Sequence, residues 1–326
     1  MKNHKKAIYI VILLLLIFIT LFTGRYKLDL KDLIVNFKDS QDFMILFNIR
    51  LPRLILVVIS GAALALSGMV FQNIFQNPLI SPDVLGLTSG CSLGAVIAIL
   101  FMGANPIAIQ INSFVFGILS VVFSLILAKN VKENRMLALV ISGIVTGAIA
   151  SAFIMIFKYF ADPYKELPSI EYWLMGGFHN STWKDVFYVI PIVIICVIAI
   201  NLIKWQLKVV TMGDTQAKLL GVNLKRIRIL AIFFSTLLVS SVVSVAGIVS
   251  WIGLLAPHIV KLHSSNDITK TIFLTLLMGS ILLLVADTLA RSISSTEIPI
   301  SILTSLVGAP FLVYLINKRG DKNRIG

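Results

Sequence analysis

Apolar residues run through this chain in stretches near the ~20 residues that carry a helix across a bilayer. Polar residues gather between these stretches instead of alternating within them. Ten can be marked, at about 7–23, 54–75, 84–102, 107–128, 136–158, 186–203, 229–247, 248–262, 271–290 and 299–316. The eighth is short and is interrupted by Gly253 and Pro257, as happens in helices that line a cavity. The pattern predicts an all-α, polytopic integral membrane protein with about ten transmembrane helices in one domain over 1–326.

Composition agrees: the 326 residues are 58% hydrophobic and 13% charged, with a mean hydropathy of +0.96. A soluble domain carries about 25% charged residues. The net charge of +13 would point to nucleic acid in a soluble protein. Here it orients helices instead. With the N-terminus inside, the inner segments hold 18 of the 28 Lys and Arg and 5 of the 15 acids, whereas the outer segments balance. That asymmetry predicts both termini in the cytoplasm. The N-terminal MKNHKK and the apolar run after it resemble a signal peptide, but Phe22-Thr23-Gly24-Arg25 offers no small-x-small cleavage site, so the run reads as a retained first helix. Cys91 and Cys196 lie within apolar segments and read as small buried side chains. His4, His179, His258 and His263 show no metal-ligand spacing.

The longest polar island is 204–228, KWQLKVVTMGDTQAKLLGVNLKRIR, with six basic residues and one acid, Asp214. Flanked by spans, it belongs outside lipid and, by charge, in the cytoplasm. Its Gly213, Ala217 and Gly221 are spaced by four, which on a helix places small residues on one face. A partner's surface approaches such a face closely. The alternative is a basic loop that only borders the membrane.

Outer segment 24–53 alternates charged and apolar residues at helical spacing and reads as one or two interfacial amphipathic helices. It ends in Arg50-Leu51-Pro52-Arg53, where proline suits a helix start. Arg50, Arg53 and Arg291 are held on the outer side against the usual charge rule. They either snorkel at the interface or receive carboxylates from an external protein. Asp287, one turn from Arg291, is a candidate to neutralise it. In 76–83, Pro78 and Pro82 forbid a continuous helix. The stretch is either a tight inner turn or also a constriction in a pathway. WLMGGF at 173–178 suggests a re-entrant turn, with Trp173 and Trp183 at the interface. Glycines at 86, 90 and 94, and at 143 and 147, predict close helix packing, compatible with a pathway-lining face. No Walker-type G-x-x-x-x-G-K-[ST] occurs, and no nucleophile–base set is visible, so the chain itself is not expected to hydrolyse ATP.

Taken together, RLPR (50–53), QNPLISPDVLGLTSG (76–90), WLMGGF (173–178), LGVNLKRIR (220–228), IGLLAPHIVKL (252–262) and EIPISILTSLVGAPFLVYLI (297–316) resemble the permease family of bacterial ABC importers for ferric siderophores, haem and cobalamin. The elements occur in family order and cover nearly the whole chain. The resemblance implies a cobalamin-importer-permease-like bundle in the bacterial cytoplasmic membrane. It further implies a second permease subunit, identical or related, with the pathway between the two. Two ATP-binding subunits would dock on the cytoplasmic side, and an extracytoplasmic substrate-binding protein on the other. By resemblance, Arg50, Arg53 and Arg291 meet glutamates of the binding protein. Gly213, Asp214, Ala217, Leu220 and Gly221 sit on the ATPase, and Asn77 and Leu79 form an inner gate. Membrane lipid is a partner, nucleic acid is not, and ATP is used by the partner subunits with no cofactor bound here. Ferric siderophore is the expected cargo, with haem and cobalamin open. The competing class is an ion-coupled secondary transporter, for which Asp287 is the one ionisable candidate within a span.

Overall fold

The computed structural model describes residues 2–24, 26, 41–130, 135–294 and 296–322. Among these residues all regular structure is helical. Most of the amphipathic outer segment expected within 24–53 lies outside them, as do 131–134 and 323–326.

The helices that follow the predicted spans are α1 (Lys2–Phe22), α2 (Leu51–Ile74), α3 (Leu87–Phe101), α4 (Pro106–Leu127) and α5 (Arg135–Phe160). A short α6 (Glu166–Met175) leads to α7 (Trp183–Leu202), and α8 (Lys204–Val210) and α9 (Asp214–Leu219) form a hairpin. The chain closes with α10 (Leu224–Ala246), α11 (Ile252–His263), α12 (Ile268–Ser292) and α13 (Ile300–Lys322). Seven of the described helices are long and apolar enough to cross a membrane; α3, α11 and the apolar part of α13 are shorter.

Local chemistry sets the helix starts. Asn105 and Asn223 accept from Ile107 N (2.9 Å) and Arg226 N (3.1 Å), capping α4 and α10. Thr182 and Asp185 form a reciprocal capping box at α7, and Asp267 caps α12 through Thr269 N at 3.0 Å. Helix α2 continues from a π-helical turn at Leu46–Arg50, with Pro52 in its first turn.

Helix α2 is the buried axis of the bundle and packs on α10, α11 and α12. Glycine makes two of these crossings possible. A Cβ on Gly61 would lie 2.3 Å from Gly279 O, and one on Gly68 would lie 1.8 Å from Gly253 O. The predicted glycine set packs in the same way: Gly90 and Gly94 lie against α4, and Gly143 against the backbone of Val84. Hydroxyls bridge helices as well, with Ser280 Oγ donating to Val58 O at 2.7 Å and Ser124 Oγ to Thr146 Oγ1 at 2.7 Å. Helix α5 buries a narrow stripe through Leu139, Ser142, Gly143, Thr146 and Ala150 against the α3 side and exposes apolar residues such as Ile144, Phe153 and Met155. Helix α1 is exposed along most of its length and rests on α12.

The eighth span is shorter than the sequence pattern suggests. Residues 247–251 are non-helical, with Gly247 at φ +67° and Trp251 at φ +71°. The paired glycines of WLMGGF dock on this break. Gly177 N donates to Ala246 O at 2.7 Å, Ile300 N to Gly176 O at 3.2 Å, and Ser301 Oγ to Ile248 O at 2.7 Å. Three interrupted segments thus satisfy one another's backbone groups, the condition for irregular backbone inside an apolar bundle.

Candidate functional site

At one end of the bundle the α8–α9 hairpin stands between α7 and α10. Its inner face is apolar: Leu207, Val209, Val210 and Ala217 are buried. Gly213 precedes α9 at φ +102° and Gly221 follows it at φ +73°. Gly221 N donates to Lys218 O and Val222 N to Ala217 O, each at 3.0 Å, the reciprocal pair of a glycine-terminated helix. The expectation that Gly213, Ala217 and Gly221 share an outward face is therefore corrected. The two glycines end the helix, and Ala217 points into the protein. The outward surface is Met212, Leu219 (84% exposed) and Leu220. Lys218, Lys225 and Arg226 are exposed around it. Sequence spacing alone could not identify this face, because α9 has only six residues and its register is set by the glycine caps.

The hairpin is pinned at its base. Arg228 Nη2 donates to Asp214 Oδ1 at 2.7 Å, and Lys208 Nζ donates to Asp267 Oδ2 at 2.8 Å. The Lys208 hydrogen bond holds the Asp267 carboxyl well below the usual range, helped by Thr269. Gln76 Nε2 donates to Val210 O at 3.0 Å, joining the hairpin to the turn after α2. That turn carries both expected gate residues. Asn77 Oδ1 accepts from Leu79 N at 3.0 Å, and both side chains are exposed. Gln72 is a further connector that the sequence did not flag: it donates to Leu254 O at 3.2 Å and accepts from Lys261 Nζ at 3.0 Å. Hairpin, turn and α11 are thus one hydrogen-bonded assembly.

The three arginines lie at the opposite end, and the structure corrects their expected surface position. All three are buried. Arg53 donates to Asp287 Oδ1 from Nη2 at 2.8 Å and to Glu297 Oε1 from Nη1 at 2.9 Å. Arg50 donates to Leu21 O at 2.6 Å and to Tyr26 O, and Arg291 donates to Thr20 O. Asp287 was expected to serve Arg291, yet that contact is 3.8 Å and Arg53 is the closer partner. The cluster ties α1, α2, α12 and the start of α13 together, a pairing over more than 230 positions that no local spacing reveals. His179 packs against Tyr172 nearby with centroids 4.4 Å apart and the rings tilted by 57°, and burial lowers its pKa.

Comparison with known proteins places this architecture. The model of the FecCD transport family matches residues 12–318. A molybdate import system permease protein of Haemophilus influenzae is 35% identical, over 98% of this chain and 98% of its own. A probable iron chelatin transport system permease of Helicobacter pylori is 36% identical, over 84% of this chain and 82% of its own. A solved structure, described as an inward-facing conformation of a metal-chelate type ABC transporter, superposes with a TM-score of 0.89 at 32% identity. It covers 97% of this chain and 99% of that one.

Proposed function

The chain belongs to the FecCD transport family, and on that premise we propose that it is the membrane-spanning permease of a binding-protein-dependent ABC importer of iron chelates. The observation that carries this reading is the α8–α9 hairpin. It is capped, internally anchored, rimmed with basic residues and tipped with exposed leucines, at one end of an apolar bundle. Such a tip is poorly placed facing either water or lipid, and a protein partner of complementary acidic charge suits it. That partner is the ATP-binding subunit, one for each of two permease subunits. ATP is consumed there and not in this chain.

In this reading the hairpin end, and with it both termini, faces the cytoplasm, consistent with the charge balance. The exposed apolar faces of α5 and α13 are the surfaces for a second permease subunit and for lipid, with the pathway between the subunits. Asn77 and Leu79 form the inner gate. Their turn is bonded to the hairpin through Gln76, so movement of the docked ATPase reaches the gate directly. The binding protein docks at the opposite end. The buried arginines act there as the frame of the docking surface, because any partner acid has to compete with Asp287 and Glu297. The pairing of Asp287 with Arg53 also disfavours an ion-coupled carrier, which needs an acid that can release its partner.

A ferric siderophore is the proposed cargo. Molybdate is the second reading, favoured by the full-length similarity to a molybdate permease. Haem and cobalamin share the scaffold. The test is uptake by vesicles holding the permease with its ATPase and binding protein, competed by a panel of ferric siderophores, haem, cobalamin and molybdate. Competition by a ferric siderophore alone is expected. Competition by molybdate alone, with ATP-driven uptake intact, overturns the cargo and leaves the machine.

A further inference from the structure

On the lipid-facing side of the hairpin end lies a cleft of about 770 Å³ that the transport reading does not use. Its walls are the first turns of α1 and the last turns of α7, and its floor is the first turns of α12. Four lysines ring the polar mouth: Lys5 and Lys6 from α1, Lys204 just after α7, and Lys270 from α12. Their side chains are held in place by neighbours. Lys5 donates to His263 O, Lys6 Nζ stands 5.9 Å from the Phe273 ring centroid, and Lys204 donates to Asn201 Oδ1 at 3.0 Å. Lys270 lies 3.5 Å from Asp267, an acid already engaged by Lys208 at 2.8 Å. The mouth therefore carries a strong excess of positive charge.

Directly below, the cleft turns apolar. Ile198, one turn from Asn201, is 54% exposed, and Phe273, one turn from Lys270, is 45% exposed. On α12 one turn of helix sets the Lys270 rim about 4.5 Å from the greasy wall at Phe273, and on the α7 side two turns set Lys204 about 9 Å from Ile198. These are of the order of the distance from a lipid phosphate to the start of its acyl chains. A soluble anion would need the rim and have no use for the wall. A neutral lipid would need the wall and gain little from the rim.

We propose that this cleft between α1, α7 and α12 is a binding site for one anionic diacyl phospholipid, its phosphate held by Lys6, Lys204 and Lys270 and its chains lying on Ile198 and Phe273. Charge complementarity commits the site to an anionic headgroup, since each Lys near a membrane surface favours such lipids. The bound lipid contacts Lys204, the first residue of the hairpin's α8, and so braces the hairpin from the membrane side.

The test is native mass spectrometry of the intact protein released from bilayer discs of dioleoyl phosphatidylglycerol and dioleoyl phosphatidylcholine in equal amounts. The matched chains leave the headgroup as the only variable. Preferential retention of phosphatidylglycerol by about tenfold or more is expected from three lysines. The variant Lys6→Gln/Lys204→Gln/Lys270→Gln is expected to retain the two lipids within about twofold of each other. A control, Lys218→Gln/Lys225→Gln, removes charge from the same end outside the cleft and is expected to keep the preference. Should the triple variant not fold, Lys270→Gln alone is read, and a several-fold drop is expected. Equal retention of both lipids by the unaltered protein overturns the site. So does an undiminished preference in the cleft variants. Displacement of the lipid by millimolar sn-glycerol 3-phosphate would reassign the rim to a soluble phosphate.

Discussion

Arg53 is a central tie of the far end, since one guanidinium binds two carboxylates, from α12 and from the approach to α13. Removing it leaves Asp287, which is 1% exposed, without its main partner. Arg53→Ala is expected to destabilise the protein by about 3–5 kcal/mol, the usual cost of stranding one member of a buried ion pair. Arg53→Met/Asp287→Leu is expected to recover only part of that loss, because Glu297, at 25% side-chain exposure, can turn to water but buried Arg291 loses the carboxylate 3.8 Å away. Denaturant unfolding in detergent across the double-mutant cycle reads both values. If Arg53→Ala were as stable as the unaltered protein, the arginine would be a loose surface group, as its sequence position suggests. That suggestion fails for a physical reason. Whether an arginine near a membrane surface is exposed depends on acids far along the chain, and RLPR carries no trace of Asp287 or Glu297. The role of Ala217 was hidden in the same way: a small residue can serve a partner's close approach or the protein's own, and only packing decides which.

Among the elements, the spans were legible because the bilayer imposes length and apolarity on each. The ends of nine predicted stretches fall within a few residues of a helix. The eighth was legible as short, but its expected interruption at Gly253 and Pro257 is corrected: helix α11 runs through both, and the break falls before them at 247–251. That break depends on docking with the 176–178 turn and with Ser301. Helix pairing was half legible. The glycines at 86, 90, 94 and 143 stood out by spacing, whereas Gly61 and Gly68 did not, being seven apart and so two turns along one face. Gly61 meets Gly279 where α2 crosses α12, and no side chain there can yield because the neighbouring atoms are backbone. Gly61→Val is expected to abolish a monodisperse folded protein, or to cost more than the ~1–3 kcal/mol of ordinary overpacking. Gly103→Ala, with nothing within 4 Å, loses only what its positive φ costs. Size-exclusion chromatography and thermal unfolding of the two variants compare these outcomes; equal behaviour would mean that α2 and α12 do not cross at this point.

The molecule as a whole has two unlike ends, one a basic hairpin with an apolar tip and the other a charge-balanced lattice of arginines and acids. The family and the fold could be read from motif order, while the working surface at each end required the structure. The proposed orientation predicts that Gln216→Cys, exposed on α9, resists an impermeant thiol reagent in intact cells. Tyr164→Cys, at a site 93% exposed at the other end, is expected to label. Native Cys91 and Cys196 are buried and remain silent. Labelling at Gln216 from outside would invert the topology.

The central claim is that the α8–α9 hairpin receives the ATPase, and the hairpin tip tests it most directly. Leu219→Asp/Leu220→Asp alters two outward side chains, 84% and 52% exposed, and leaves the buried Leu207, Val209, Val210 and Ala217 in place. The permease is expected to insert, to unfold at an unchanged temperature and to bind its external partner normally. It is also expected to lose ATPase co-purification and ATP-driven uptake in reconstituted vesicles, by about tenfold or more for the loss of two well-packed interface anchors. Normal ATPase recovery together with normal ATP-driven uptake in that double variant would contradict the account.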